Sequence, residues 1–199
     1  MARTVKSMEL FEDPQAPVQP NQFRVEFQAL LEIFRAIKPE RILEVGIHSG
    51  GSLYQWMKNA PGSLVVGVDV ENGPWGDPGT TDLAAWMQWA EFYGVNFQPI
   101  LASSQESWVV EKVLAYGPYD FIFLDGDHSY QAINHDFFNY SAMLAPGGVV
   151  ALHDILQHPD DPQIQVWKLW AEISLIFETE EITSHPFQKE KGIGICRPF

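Results

Sequence analysis

The sequence predicts a single doubly wound α/β domain, and three observations carry that expectation. Short apolar runs recur at 41–45, 64–69, 96–101, 121–124 and 149–152. Segments with helical spacing separate them, as where Tyr130, Ile133, Phe137, Tyr140 and Leu144 step by 3, 4, 3 and 4 residues. Each apolar run also ends in polar or ionisable residues. A strand buried on both faces reads as a continuous apolar run, and such strands alternating with amphipathic helices form parallel βαβ units.

In order, residues 1–20 mix charges with Pro14, Pro17 and Pro20 and read as an irregular N-terminal arm, leaving 21–199 as the domain. Asn21 is a candidate cap for a helix carrying Phe23, Phe27, Leu30, Leu31, Phe34 and Ile37, which Pro39 helps to end. A strand at 41–45, a helix over 50–60 and a strand at 64–69 follow. The Gly- and Pro-rich connection 70–80, with Trp75 at its centre, is a candidate lid. Leu83, Trp86, Ala90 and Tyr93 mark a helix before the strand at 96–101, and another helix is expected over 104–116. After the strand at 121–124 and the helix from Tyr130 to Leu144, Pro146-Gly147-Gly148 should turn into the strand at 149–152. Asp161 and Pro162 offer a cap and a first-turn proline for a long helix with Ile164, Trp167, Leu169, Trp170, Ile173 and Ile176. Segments at 181–183 and 192–196 would close the sheet.

Composition narrows the function. A chain of 199 residues, 46% hydrophobic and 13% aromatic, has room for one domain and should bury roughly 70% of its unfolded surface. Twelve Lys and Arg against 26 Asp and Glu give a net charge of −14, which disfavours nucleic acid and anionic membrane surfaces. The lone Cys196 excludes an intrachain disulfide and a Cys-rich zinc site. With no signal-like apolar core and no run of 18 apolar residues, a cytoplasmic location is the expectation.

Ligands of open α/β sheets bind beyond the carboxyl ends of the strands, near the point where strand order reverses. The first run ends in Glu44-Val45-Gly46-Ile47-His48-Ser49-Gly50-Gly51-Ser52 and the second in Asp69. The third ends in Ser103-Ser104-Gln105, the fourth in Asp125-Gly126-Asp127-His128 and the fifth in His153-Asp154. Gly46 and Gly51 could serve a dinucleotide fingerprint, but His48 occupies its middle position. The Glu44 carboxylate beside this loop would oppose a pyrophosphate and favour a positively charged ligand. S-adenosylmethionine carries a sulfonium and an ammonium group, and Asp69 stands where its ribose hydroxyls need an acceptor. Singly, the glycines would suit any tight turn, and Asp125 any helix cap; their combination points to a site. His135 and His185 lack such context, His158 lies four residues after Asp154, Trp167 and Trp170 read as core, and Cys196 as structural.

Over roughly 40–155 these residues resemble the class I S-adenosylmethionine-dependent methyltransferases. Glu44-Val45-Gly46 through Gly50 looks like the family's first motif, Asp69 like the acid ending its second strand, and Ala102-Ser103-Ser104-Gln105 like the adenine loop of catechol O-methyltransferase. The run Phe123-Leu124-Asp125-Gly126-Asp127-His128-Ser129-Tyr130, followed by Leu144-Ala145-Pro146-Gly147-Gly148 and His153-Asp154, resembles the metal-dependent O-methyltransferase branch of macrocin methyltransferases and cephalosporin hydroxylase-like proteins. The resemblance implies a Rossmann-like, mostly parallel seven-stranded sheet with an antiparallel last strand.

It also implies that Gly46 and His48 line the methionine part of the cofactor, that Ser52 meets its carboxylate, and that Ser104 and Gln105 face the adenine. Asp125 and Asp154 would hold a divalent cation, magnesium or manganese, with His153 where relatives often carry a carboxylate. An imidazole ligand weakens the case for magnesium and leaves iron or zinc open. The expected reaction is methyl transfer to a hydroxyl of a small molecule, with His128 or Asp127 taking the proton. A neutral His128 would make activity fall below about pH 6.5. Related enzymes are often dimers, which makes a homodimer an expectation. The rivals are a metal-independent methyltransferase with His128 as sole base, a non-catalytic S-adenosylmethionine-binding module and, third, a dinucleotide oxidoreductase.

Overall fold

A computed structural model of the chain describes residues 8–71 and 81–198. The candidate lid, with Trp75, falls for residues 72–80 outside the described residues. Seven strands, β1 (Arg41–Val45), β2 (Leu64–Asp69), β3 (Asn96–Leu101), β4 (Tyr119–Leu124), β5 (Leu144–His153), β6 (Glu178–Ile182) and β7 (Ile193–Arg197), form one sheet in the order β3-β2-β1-β4-β5-β7-β6. Strands β1 to β5 pair in parallel, and β7 runs antiparallel to both β5 and β6. The predicted doubly wound, mostly parallel sheet with an antiparallel last strand is therefore present, and strand order reverses between β1 and β4. The outer strands carry edge-blunting residues: Pro99 in β3, and Glu178, Glu180 and Glu181 in β6.

Helices α1 (Arg24–Ile37), α2 (Gly51–Asn59) and α3 (Leu83–Tyr93) cover one face, and α4 (Ser107–Leu114), α5 (Tyr130–Ser141) and α6 (Val166–Ile173) the other. Strand alternation decides which residues meet which layer. In β4, Phe121 and Phe123 join the α1–α2 core, while Ile122 and Leu124 join the α4–α6 core. Phe121 sits edge-on to Phe34, ring centroids 5.0 Å apart, and beside Trp56 at 5.1 Å. Trp170 and Cys196 lie in the second core, as expected, whereas Trp167 is half-buried.

Four local expectations fail, each for a physical reason. Asn21 does not cap α1, which starts at Arg24 after an uncapped, extended Phe23, because the approach to the helix is tied to the arm: Phe23 bridges to Leu10, and the Phe11 amide donates to the Gln22 carbonyl at 2.9 Å. Leu144 belongs to β5 rather than to the preceding helix, and Pro146-Gly147-Gly148 forms an irregularity inside that strand, with Tyr119 opposite Leu144 but Phe121 opposite Val149. Asp161 and Pro162 lie one turn ahead of α6; the Asp161 carboxylate accepts from the Gln163 amide at 3.0 Å and closes a separate turn. Ile176 lies beyond α6 and is 70% exposed.

One residue of β1 departs from its apolar surroundings. Glu44 is fully buried against α2, and neither carboxylate oxygen has a hydrogen-bond partner at standard geometry, although Ser52 and Trp56 lie beside it. Burial pushes its pKa up to about 8, against the lowering influence of Ser52 and Trp56, so the group is largely neutral at pH 7. The unfolded chain sheds this proton near 4.5. Folding therefore takes up a proton between the two values, and stability is lost as pH rises from about 4.5 through about 8.

Glu44→Gln should remove that loss. The variant is expected to gain on the wild type as pH rises above 5, by on the order of 3 kcal/mol near pH 7, with the gap levelling off above pH 8; urea unfolding at several pH values checks it. Phe121→Ala should cost about 3 to 5 kcal/mol in the same assay, because the cavity lies between two rigid aromatic neighbours.

Candidate active site

The switch point between β1 and β4 opens into a cavity of about 690 Å³, a size suited to a small-molecule ligand. The strand ends lining it include Gly46, His48 and Ser52 after β1, Asp69 after β2, Ser104 and Gln105 after β3, Asp125, Asp127 and His128 after β4, and His153 and Asp154 at the end of β5. Glu44 and Gly50 are not in its lining. Glu44 lies beneath the loop and, being largely neutral, does not repel a pyrophosphate as the sequence reading supposed. A Cβ on Gly50 would come within 2.6 Å of Trp86, so this glycine admits α3.

The loop after β1 is shaped from two sides. The Asp69 carboxylate accepts from the backbone amides of Ile47 and His48, and His48 takes a positive φ of 54°. Burial raises the pKa of Asp69 despite these amides. Gly46, at φ 88°, meets the backbone of the loop after β4: a Cβ there would lie 2.1 Å from the Asp125 carbonyl oxygen. Only glycine permits that approach. Ser104 is tied to α5, its hydroxyl donating to Asp136 at 3.0 Å and its carbonyl accepting from Tyr140 at 2.6 Å. Burial pushes Asp136 up to about 6.

Parallel pairing of β4 with β5 brings Asp125 and Asp154 to adjacent strand ends. His153 Nδ1 lies 2.9 Å from Asp125 Oδ1. His128 spans the two carboxylates, with Nε2 3.3 Å from Asp125 Oδ1 and Nδ1 2.9 Å from Asp154 Oδ2. Burial opposes every charge here, but the mutual attraction wins. The histidines hold Asp125 well below the usual carboxylate range and lower Asp154, while the two carboxylates raise His153 and push His128 up to about 10. An imidazole of pKa 6.5 at this position was the wrong expectation, since it left out the carboxylate on each side.

The donor set suits a divalent cation. Asp125, His128 and His153 offer ligand atoms within 4.8 Å of one another, and His153 Nε2 and Asp154 Oδ1 are buried with no hydrogen-bond partner among the described residues. Mixed imidazole and carboxylate donors fit manganese, iron or zinc better than magnesium. His128, expected as a base apart from the metal ligands, falls inside this group. Asp127 stays outside it, its Oδ1 accepting from the Ser129 amide at 2.8 Å.

Sequence reasoning missed Gln22, which is 3% exposed, lines the cavity and donates from Nε2 to Asp125 Oδ2 at 2.8 Å. It also missed Lys191, which lines the cavity and whose Nζ donates to the Asn21 carbonyl at 2.6 Å. No motif marks either residue, because both reach the site through long-range packing. His158 lines the cavity as well, with Nε2 3.4 Å from Glu190.

Comparison with known proteins agrees with this geometry. An uncharacterized protein of Sinorhizobium fredii is 27% identical over 159 residues, covering 72% of this chain and 16% of that protein. An uncharacterized protein of Acanthamoeba polyphaga mimivirus is 27% identical over 147 residues, covering 71% and 64%. The chain thus spans less than two thirds of either relative. Among solved structures, an O-methyltransferase from Bacillus cereus in complex with SAH has a TM-score of 0.66 at 19% identity, covering 92% of this chain and 83% of that one. TomG, an O-methyltransferase from Streptomyces achromogenes in complex with SAM, gives 0.62 at 17%, covering 85% and 77%. The mycinamycin-pathway methyltransferase MycE, in complex with Mg, SAH and mycinamycin VI, gives 0.58 at 17%, covering 85% and 48%. At these identities the likeness is one of fold. A family model described as methyltransferase domain matches residues 43–155, from β1 through the end of β5 and both candidate clusters, and the chain belongs to that family.

Proposed function

We propose that the chain moves a methyl group from S-adenosylmethionine to a hydroxyl of a small molecule, with a divalent cation held by Asp125, His128, His153 and Asp154. The observation that carries this reading is that the acidic–imidazole cluster and the Gly46–Asp69 loop open into one cavity, within the stretch that matches the methyltransferase family. A module that only bound the cofactor would have no use for the cluster. With Glu44 outside the cavity, and an acid such as Asp69 suiting the ribose of either ligand, the preference for S-adenosylmethionine over a dinucleotide rests on His48 in place of the fingerprint's middle glycine and on the family.

In the reaction the acceptor oxygen attacks the methyl carbon in line with sulfur. The carbon–sulfur bond breaks, its electron pair stays on sulfur as the neutral thioether of S-adenosylhomocysteine, and the acceptor's proton goes to a protein base. Rate then depends on orientation and on deprotonation of the acceptor. Asp69 would take the ribose hydroxyls, and Ser104 and Gln105 would border the adenine. A divalent cation, when bound, would polarise the acceptor hydroxyl and lower its pKa. Between the two candidate bases this reading favours Asp127, because His128 is counted among the ligands of the cation while Asp127 stays outside that group.

Asp69→Asn keeps an oxygen for the Ile47 and His48 amides but loses the charge, so it should weaken S-adenosylhomocysteine binding by about 1.5 kcal/mol or more. Calorimetry in which the wild type fails to bind, or the variant binds equally, would sink the cofactor assignment. Asp127→Asn should slow turnover by on the order of 10² to 10⁴ with cofactor affinity intact. Asp154→Ala and chelation by EDTA should each abolish methyl transfer; full activity in EDTA would put a metal-independent mechanism in its place.

A further inference from the structure

The N-terminal arm and the short segment 21–23 that joins it to α1 lie outside the stretch that matches the methyltransferase family, yet through Gln22 this segment reaches the centre of the site. We propose that Gln22 is a positioning residue for the Asp125 carboxylate and that it makes the arm a working part of the ion site. The inference rests on the reading of Asp125, His128 and His153 as a divalent-ion site.

Asp125 divides its two oxygens between separate partners. Oδ1 faces His153 at 2.9 Å and His128 at 3.3 Å, while Oδ2 accepts from Gln22 Nε2 at 2.8 Å. A carboxylate pinned through one oxygen presents the other in a fixed direction, and a donor to an ionised carboxylate makes one of the stronger hydrogen bonds. The amide is held there at a cost, since Gln22 Oε1 is buried with no hydrogen-bond partner among the described residues. Packing to fill space would favour an apolar side chain at this position.

The arm fixes Gln22 from both sides. Phe11 packs edge-on to Phe27, ring centroids 4.9 Å apart, and its amide donates to the Gln22 carbonyl. Asp13 accepts from Lys58 at 2.6 Å and from Gln55 at 2.9 Å, which clamps the arm to α2. The backbone of Gln19 and Pro20 passes over Gly51 so closely that a Cβ there would lie 2.4 Å from it. Lys191, from the segment before β7, donates to the Asn21 carbonyl next to Gln22 at 2.6 Å.

Groups that orient a metal ligand from outside typically change affinity ten- to a hundredfold when removed. Gln22→Met keeps the length of the side chain and removes the donor. Manganese titrated into the full chain, followed by calorimetry or electron paramagnetic resonance, should bind the variant about ten- to a hundredfold more weakly than the wild type, with S-adenosylhomocysteine affinity unchanged. Asp13→Ala, which loosens the arm far from the cavity, should shift manganese affinity in the same direction by a smaller factor. If the wild type binds no manganese, both the ion site and the role of Gln22 fall. If wild type and Gln22→Met bind it equally, only the role of Gln22 falls, and parallel losses of manganese and S-adenosylhomocysteine affinity would reduce Gln22 to a wall of the cleft and overturn the inference.

Discussion

Two carboxylates set side by side in a dry place are the constraint to which the rest of the site answers. Parallel pairing of β4 and β5 fixes Asp125 and Asp154 at neighbouring strand ends, and their charges are tolerable only with positive charge between them. The protein supplies it with His128 and His153, at distances of 2.9 to 3.6 Å from the carboxylates. The histidines thereby acquire their raised pKa values, and the cluster becomes a place where protons and a cation compete for one position.

The rest of the fold keeps that cluster in register with the cofactor loop. Strand order reverses between β1 and β4, so the loops after these strands lie side by side instead of being separated by a crossover helix. Gly46 lets them touch backbone to backbone, and Asp69 braces the first of them from the next strand. Displacing any one of the three strand ends would move the other two.

The fold was legible because its signals are local. Buried parallel strands such as 64–69 announce themselves as apolar runs, and the match there is residue for residue. The site was legible where chemistry gathers at strand ends, as with Asp69, Asp125 and His153. What the sequence hid depends on contacts across the chain. Gln22 lies 103 positions from the Asp125 it bonds, and nothing near it betrays that partnership. Glu44 read as an ionised residue because its neighbours in sequence do not reveal how completely it is enclosed. Asn21 and Asp161 have the right chemistry for caps, but pairing with Leu10 and Phe11 holds the neighbours of the first out of the helix, and the second spends its carboxylate on a local turn.

The two margins of the sheet bear on how copies of this chain can meet. Pro99 removes an amide donor from outer strand β3, and the three glutamates of β6 put like charges along the opposite margin. Neither strand is a good template for a second copy of itself. A symmetric pair built by continuing the sheet would have to bring glutamates against glutamates or leave a carbonyl facing a proline. The margins of the sheet are thus closed to extension by like strands, which leaves the sheet complete at seven strands within the chain.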